Sequence, residues 1–288
     1  MILDIIQTII DTSNKLSDQL SIMKINKDTY ENCYIYALTT PTNMTKKIFR
    51  QKKYSKIKKL VHYQDSRNSR YINSVNHLAD TLEILICAGP YWIRQKGIKK
   101  LKKLRILDCG NSNYIRNVNH LGGTLEELYC GSLSCGIEQS GISELKKLKK
   151  IECCVNGRIK NLNHLKDTLQ IVDCSGKRIY KKHMDISQAN GAKNFDVLFG
   201  TLKQEGISEL KKVVQFNCSD NCHIHDVNHM AGTLELLKCG GDRCGINQDG
   251  ISKLKKLKKI NCCDNINIHN LDHMAGTLDE ILVENYYL

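Results

Sequence analysis

Five residues with metal-binding side chains lie within twelve positions of one another: Cys218, Cys222, His223, His225 and His229. His269 and His273 add an H-x-x-x-H spacing. Zinc takes thiolate and imidazole ligands in tetrahedral sets. However, Cys218, His229 and His273 occupy positions that recur along the chain, and there is no C-x-x-C pair. We therefore assign these residues to the fold and predict no bound metal or cofactor.

The fourteen cysteines follow a period rather than marking one reactive thiol. Eight of them end copies of the same short segment: Cys87, Cys109, Cys130, Cys153, Cys174, Cys218, Cys239 and Cys262. Cys135 and Cys244 follow such a cysteine by five residues, which predicts that they too are buried. Catalysis by cysteine needs a thiol with a lowered pKa and a paired base. No Gly-rich phosphate loop or carboxylate pair stands outside the period, so we predict no catalytic residues and no enzymatic activity.

Two segments alternate along the chain and both end in Leu-x-x-Leu-x-Cys. A histidine-type segment such as VNHLGGTLEELYC begins at Val75, Val118, Leu162, Val227 and Leu271; a lysine-type segment such as GISELKKLKKIEC begins at Gly97, Gly141, Gly206 and Gly250. Successive cysteines are 21 to 23 residues apart, except for 44 between Cys174 and Cys218. That gap equals two of the usual intervals between cysteines, and it predicts a degenerate unit around Asn194–Gly200. Another degenerate unit, from Ile57, is predicted to open the array.

The skeleton resembles the leucine-rich-repeat consensus L-x-x-L-x-L-x-x-N-x-L, with cysteine in the third apolar position. Asn156, Asn221 and Asn265 match the consensus asparagine, whereas Ser112 departs from it. The amides of such asparagines are expected to satisfy buried backbone groups where the chain turns away from the strand. The resemblance implies an α/β repeat solenoid, a horseshoe with a parallel β-ladder on its concave face and a small helical N-terminal segment. Stacked units bury a continuous core that one unit cannot form alone. We expect residues 1–50 to form the helical segment and residues 51–288 about 10–11 units of 21–23 residues.

The residues flanking the buried positions of the strands form the candidate partner face. Its members are Glu126, Glu127, Tyr129, Lys149, Lys150, Lys258, Lys259, Asp279 and Glu280. Neighbouring strands lie about 4.8 Å apart, so acids on histidine-type strands are expected beside bases on lysine-type strands. Such a self-neutralised surface favours a protein partner over a nucleic acid.

The net charge of +13 has its main uncompensated source in lysine pairs that precede the lysine-type strands. These pairs, here called the lysine rim, are Lys102–Lys103, Lys146–Lys147, Lys211–Lys212 and Lys255–Lys256. A solenoid that binds nucleic acid through this rim, or one that is purely structural, is the alternative to a protein-binding module. Aromatic residues make up only 6% of the chain, which leaves few side chains to stack on bases.

The segment before the repeats contains Ile5, Ile6 and Ile9 at helical spacing. The stretch from Asp4 to Tyr30 resembles a degenerate F-box that lacks the opening Leu-Pro. That resemblance implies that Ile5, Ile6 and Ile9 contact the adaptor of a cullin-type ubiquitin ligase, for which the chain would be a substrate receptor. The alternative is a helical cap on the first repeat. Together with Cys- and Lys-rich repeats, the arrangement resembles the F-box/leucine-rich-repeat families of mimivirus-type giant viruses.

The first residues do not have the pattern of an export signal, because Asp4 and Asp11 interrupt the apolar stretch and no basic residue precedes it. The sequence has no run of 18 apolar residues that would span a membrane. Cysteines in a chain without export are expected to be reduced. The sequence therefore predicts a cytoplasmic or nuclear protein that is neither secreted nor inserted in a membrane.

Overall fold

The computed structural model describes residues 2–13, 15–24, 27–39, 46–61, 72–89, 93–176 and 200–282. The helices in these ranges are α1 (Ile2–Thr12), α2 (Leu16–Met23), α3 (Lys27–Asn32), α4 (Lys46–Phe49) and α5 (Gln95–Ile98). The strands are β1 (Ala37–Thr39), β2 (Lys59–Val61), β3 (Ile84–Ile86), β4 (Ile106–Asp108), β5 (Glu127–Tyr129), β6 (Lys150–Glu152), β7 (Ile171–Asp173), β8 (Gln215–Asn217), β9 (Leu236–Lys238), β10 (Lys259–Asn261) and β11 (Glu280–Ile281).

The strands within the described ranges form one parallel sheet in chain order, from β1 to β11. Their middle residues are paired in register and form a column of buried apolar side chains, such as Leu107 beside Leu128 and Leu128 beside Ile151. The repeat cysteines form a second buried column, in which Cys109, Cys130 and Cys218 are fully inaccessible. These features confirm the α/β leucine-rich-repeat solenoid and its small helical N-terminal segment.

Short 3-10 turns carry the chain from one strand to the next. In histidine-type units the turn contains the Asn-His-Leu or Asn-His-Met sequence, as at Asn119–Leu121 and Asn228–Met230, and its last residue is buried. In lysine-type units the turn ends at or near a glycine, as at Gln139–Gly141. Parallel strands cannot be joined by a tight hairpin. These turns provide the crossover and add an apolar residue to the core.

One link in the sheet joins the strands on the two sides of the long gap between repeat cysteines. β7 pairs directly with β8, with Val172 opposite Phe216, although Cys174 and Cys218 are 44 residues apart. The predicted degenerate unit around Asn194–Gly200 lies outside the described residues apart from Gly200, and it stays a prediction. Among the described strands, β7 and β8 are direct neighbours. Histidine-type and lysine-type strands therefore alternate strictly from β3 to β11.

The N-terminal helices cover the first strands of the sheet. Ile10 of α1 and Met23 of α2 are completely buried in the common core. The Gln7 amide donates to the carbonyl oxygen of Tyr34 and accepts from the Tyr34 N–H, both at 2.9 Å, which ties α1 to the segment before β1. β1 stands one strand before the unit predicted to open the array. The domain division at residue 50 remains a prediction.

Candidate functional site

The outward-pointing residues of the sheet, with the residue just before each strand, form a surface that we call the strand face. A row of alternating charges crosses it. Lys58 lies 3.8 Å from Glu83, and Glu126 accepts from both Arg105 and Lys149 at 3.0 Å. The hydrogen bonds from Arg105 and Lys149 lower the pKa of Glu126 to about 2. The row is therefore neutralised internally at this point, as the order of charges in the sequence predicted.

A second cluster on the strand face centres on Tyr129. Its hydroxyl donates to Glu127 at 2.7 Å and accepts from Lys150 at 2.9 Å. The Lys150 ammonium lies 4.7 Å from the centroid of the Tyr129 ring. Together these contacts fix the aromatic side chain of Tyr129 between an acid and a base. An aromatic residue held in this way loses little conformational freedom when a partner binds.

The remaining candidate residues form a smaller charged group near the C-terminal end of the sheet. Lys258 pairs with Glu235 at 2.9 Å, and Lys259 pairs with Glu280 at 2.6 Å. Asp279 is exposed just before β11. The structure thus places the nine candidate partner-face residues in two groups, one around β5 and β6 and one around β10 and β11. It does not bring the two groups together, because β7, β8 and β9 lie between them.

An apolar patch on the strand face was not among the candidate residues. Ile84 lies opposite Ile106 on the paired strands β3 and β4, and Ile86 lies opposite Asp108. The three isoleucines are half-buried, although they point away from the core residues Leu85 and Leu107. The signal was present in the sequence, since the outward positions of two successive strands carry three isoleucines, whereas those of β5 and β6 carry mostly charged residues. Arg105 of the charged row directly precedes β4, at the edge of this patch.

The recurring histidines of the histidine-type units, which include His229 and His273 of the suggested metal site, make structural contacts. His120, His164, His229 and His273 each bring Nε2 to 2.9–3.1 Å from the carbonyl oxygen of an isoleucine in the preceding unit. Across the described residues, no three His, Cys, Asp or Glu side chains are grouped so that they could hold a metal ion. The recurring histidine is thus explained by a hydrogen bond that joins adjacent units.

Buried amides close the turns between units. Asn156, Asn221 and Asn265 each donate to two backbone carbonyls and accept one backbone N–H. This is the role predicted for the consensus asparagine.

The sequence analysis missed a second set of amides that join adjacent units. They are glutamines that each donate to a backbone carbonyl and accept two backbone N–H groups of the next unit: Gln95, Gln139, Gln204 and Gln248. Their recurrence two residues before Gly97, Gly141, Gly206 and Gly250 was the available signal.

The cysteine column shows no feature of a catalytic thiol. None of the fourteen cysteines, all in the described ranges, forms a disulfide. Burial raises the pKa of Cys87, Cys153 and Cys174 above the usual thiol range. Cys135 and Cys244 are also buried, as predicted, and direct their thiols at the carbonyl oxygens of Cys109 and Cys218. Hydrogen bonding with the Cys109 and Cys218 thiols lowers the pKa of Cys135 and Cys244 from the usual thiol value, although burial opposes this. Among the described residues no catalytic base is paired with either thiol, and the buried cysteines fill space in the core.

The three candidate adaptor residues on α1 do not share one environment. Ile5 is 57% exposed and Ile9 is 49% exposed, one helical turn apart. Ile6 is partly buried and packs against the core. One face of α1 therefore caps the sheet, while a different face presents two isoleucines to solvent. The cap and the adaptor surface, which the sequence left as alternatives, can coexist on this helix.

No protein-family model matches the chain, and no curated protein matches it. Solved structures that match include three internalins from Listeria monocytogenes, which are leucine-rich-repeat proteins. A functional domain of InlJ described as including a cysteine ladder is 14% identical over 78% of this chain and 53% of its own, with a TM-score of 0.42. InlF is 16% identical over 81% and 69%, with a TM-score of 0.44, and InlC2 is 14% identical over 74% and 78%, with a TM-score of 0.38.

The chain thus spans about half the length of the InlJ structure that it matches. These similarities do not bear on the F-box or giant-virus resemblance. The parallel sheet, with its strands in chain order, establishes the fold. Among the described helices, none combines the length and the apolar character needed to cross a lipid bilayer.

Proposed function

We propose that this chain is a non-enzymatic interaction module that binds a protein partner through its strand face, the predicted concave side of the solenoid. The observation that carries the proposal is the patch of Ile84, Ile86 and Ile106. Half-buried aliphatic side chains outside the core, next to fixed charges, are typical of protein-binding surfaces. Tyr129, which is held by Glu127 and Lys150, extends this surface toward β6.

The chemistry of the remaining polar residues supports binding rather than catalysis. The histidines, asparagines and glutamines that could act on a substrate are engaged in hydrogen bonds between units. The charged residues of the strand face pair with one another at distances near 3 Å. Such pairs contribute only about 0–1 kcal/mol each to stability, but across an interface they set orientation and exclude wrong partners.

Affinity capture from a lysate of the native host, followed by reconstitution with the purified partner, tests this proposal. Ile84→Glu with Ile106→Glu introduces two carboxylates into the apolar patch and should weaken the reconstituted complex by at least about tenfold. Ile266→Glu is the matched control, because Ile266 is 73% exposed in a turn away from the strands. Equal binding by the double variant and the control would reject the strand face as the binding surface.

We further propose that the exposed face of α1 contacts an adaptor of a cullin-type ubiquitin ligase, which would make the chain a substrate receptor. The solvent exposure of Ile5 and Ile9 supports this. Ile5→Asp with Ile9→Asp should abolish adaptor binding in a pull-down, while the unfolding midpoint stays close to that of the wild type. Leu133→Asp, at a residue exposed in a turn of the repeats, is the control. A wild-type chain that never retains adaptor removes the ubiquitin hypothesis and leaves the cap.

We also propose a cytoplasmic or nuclear location. The buried, protonated thiols of the cysteine column support it, because a reducing compartment keeps thiols in this state. Tagged protein expressed in the native host should be found in the cytosolic or nuclear fraction. Recovery from the medium would contradict the proposal.

A further inference from the structure

The lysine rim is more regular than the sequence spacing indicated. Because β7 pairs directly with β8, a lysine pair precedes every second strand: β4, β6, β8 and β10. Two strand spacings separate neighbouring pairs, which corresponds to roughly 10 Å. The full row covers six spacings, or about 29 Å. An additional strand between β7 and β8 would have interrupted this periodicity.

The charge of the rim is largely uncompensated, in contrast to that of the strand face. Lys102 lies 3.9 Å from Asp80, and the Lys212 ammonium donates to the carbonyl oxygen of Asp167 at 3.0 Å. The other six ammonium groups form neither an ion pair nor a hydrogen bond with any residue that the structure describes. All eight lysines are exposed. The rim therefore produces a positive potential along one edge of the sheet.

Glycines lie in two of the three gaps between neighbouring lysine pairs, whereas the exposed Asp167 occupies the equivalent position before β7. Gly123 lies between the pairs of β4 and β6, and Gly232 lies between the pairs of β8 and β10. A Cβ atom added at either glycine would meet no atom within 4 Å. At Gly123 there is a depression of about 280 Å³, with Lys103, Lys147 and Arg105 among its lining residues. Thr124, Glu83 and Glu126 complete that lining. The rim thus has open recesses before β5 and β9 and a carboxylate, that of Asp167, before β7.

We propose that the lysine rim binds a linear chain of phosphates, such as the backbone of a nucleic acid, without recognising bases. Lysine acts as a flexible point charge for phosphate, and the recesses allow the chain to approach the protein backbone. Tyr114 is exposed, and it lies beside Arg94 rather than on the rim. None of the eight rim lysines is accompanied by an aromatic residue at the neighbouring rim position, so the described rim offers no ring on which a base could stack. The length of the row corresponds to about eight base pairs at roughly 3.4 Å each.

The proposal is tested by fluorescence anisotropy with the full chain, using a 20-base-pair DNA duplex and inorganic polyphosphate as probes. Each phosphate contact contributes about −0.9 to the slope of log K against log salt, so six lysines predict a slope of about −5. Lys146→Gln with Lys147→Gln should reduce the magnitude of the slope by about two. Lys160→Gln with Lys203→Gln is the charge-matched control, because these exposed lysines follow the strands instead of preceding them. Equal losses in the two double variants would overturn the assignment to the rim.

Glycine variants provide a second test that leaves the lysines intact. Gly123→Glu places a carboxylate between two lysine pairs and should weaken binding by about tenfold at low salt. Gly276→Glu is the control, because a Cβ atom there also meets nothing within 4 Å, but only one lysine pair lies beside it.

The choice of probe distinguishes the possible sources of the phosphate chain. Binding to polyphosphate without binding to the duplex assigns the phosphate chain to a source other than nucleic acid. Equal affinity for polyglutamate, or binding that does not depend on salt, would overturn the proposal. Ile84→Glu with Ile106→Glu should leave phosphate binding unchanged, which separates this test from that of the strand face.

Discussion

The imidazole of His229 reaches back to the preceding unit, where its Nε2 lies 2.9 Å from the carbonyl oxygen of Ile207. A carbonyl oxygen can only accept, so this nitrogen carries the hydrogen. The same bond joins His120 to Ile98 at 3.1 Å. Units in a solenoid contact only their neighbours, so a bond that crosses each boundary contributes directly to the cohesion of the array. The histidine that suggested a metal site instead links one unit to the next.

The burial of the recurring histidines predicts that acid destabilises the protein, although the hydrogen bond to the carbonyl oxygen acts in the opposite direction. Burial lowers the pKa of His77, His120 and His229 below that of an exposed histidine. In the unfolded chain their pKa is about 6.5. The unfolded state therefore takes up protons first as the pH falls, and stability is lost below about pH 6.5 but is fully present above it. Thermal midpoints measured between pH 7.5 and pH 5 should decrease, and replacing His120 and His229 by Gln should flatten that decrease. An unchanged pH dependence in the double variant would show that these histidines are not responsible.

Glycines at the start of the lysine-type segments permit close approach between units. A Cβ atom at Gly141 would clash with the carbonyl oxygen of Arg116, and one at Gly250 would clash with that of His225. Gly141→Ala and Gly250→Ala should each lower the free energy of unfolding by about 1–3 kcal/mol or more, because the backbone of the neighbouring unit must shift. Gly276→Ala should be neutral or stabilising by up to about 1 kcal/mol, since its site is open. Urea denaturation measures all three, and equal midpoints for Gly141→Ala and Gly276→Ala would contradict the close approach.

Replacing the buried asparagine that follows strands β6, β8 and β10 is expected to lower the stability more than replacing an exposed asparagine. The Asn221 amide donates to the carbonyl oxygens of Cys174 and Leu202, both at 3.2 Å, and accepts the N–H of His223 at 3.0 Å. Asn221→Ala leaves buried polar backbone groups without partners, which costs on the order of 3 kcal/mol. Asn113→Ala, at an exposed position, should change the stability by less than about 0.5 kcal/mol. Similar unfolding midpoints for the two variants would mean that water replaces the lost amide.

Thiol reactivity should distinguish the cysteine column from the surface. Cys222 is exposed, whereas the column cysteines are buried and burial raises the pKa of Cys87, Cys153 and Cys174. Because thiolates are the reactive form, a thiol reagent added to the native protein should label Cys222 first. Cys154, Cys262 and Cys263 are half-buried and should react next, whereas the fully buried column cysteines should react only at the rate of unfolding. Cys222→Ser should remove the fastest phase, and rapid labelling of Cys109 or Cys218 would show that the column opens in the native state. Chelators should leave the unfolding midpoint unchanged, since we predict that no metal is bound.

The local pattern of the sequence was sufficient to predict the strands, the buried columns and the asparagine contacts. A leucine, isoleucine or cysteine at a fixed step must point inward in every copy, because one unit cannot bury its apolar face without its neighbours. The charged pairs followed from the same step, since Glu126 and Lys149 occupy equivalent places on adjacent strands. The chemistry of the histidines and glutamines was not predictable in this way. Their partners are backbone groups of another unit, about 22 residues away, and no residue type identifies a carbonyl as the acceptor.

The tertiary structure alone decided which strands are neighbours on the two sides of the gap between Cys174 and Cys218. The excess length there is close to one repeat, so spacing alone could not tell whether β7 and β8 are adjacent. Val172 pairs directly with Phe216, which makes the two strands adjacent, because strand hydrogen bonds require neighbours in space and not in sequence. The tertiary structure also decided which face of α1 is buried, because the apolar residues of this helix have helical spacing on more than one face. Packing against the first strands buried Ile10 and left Ile5 and Ile9 exposed, since the sheet can cover only one side of a helix.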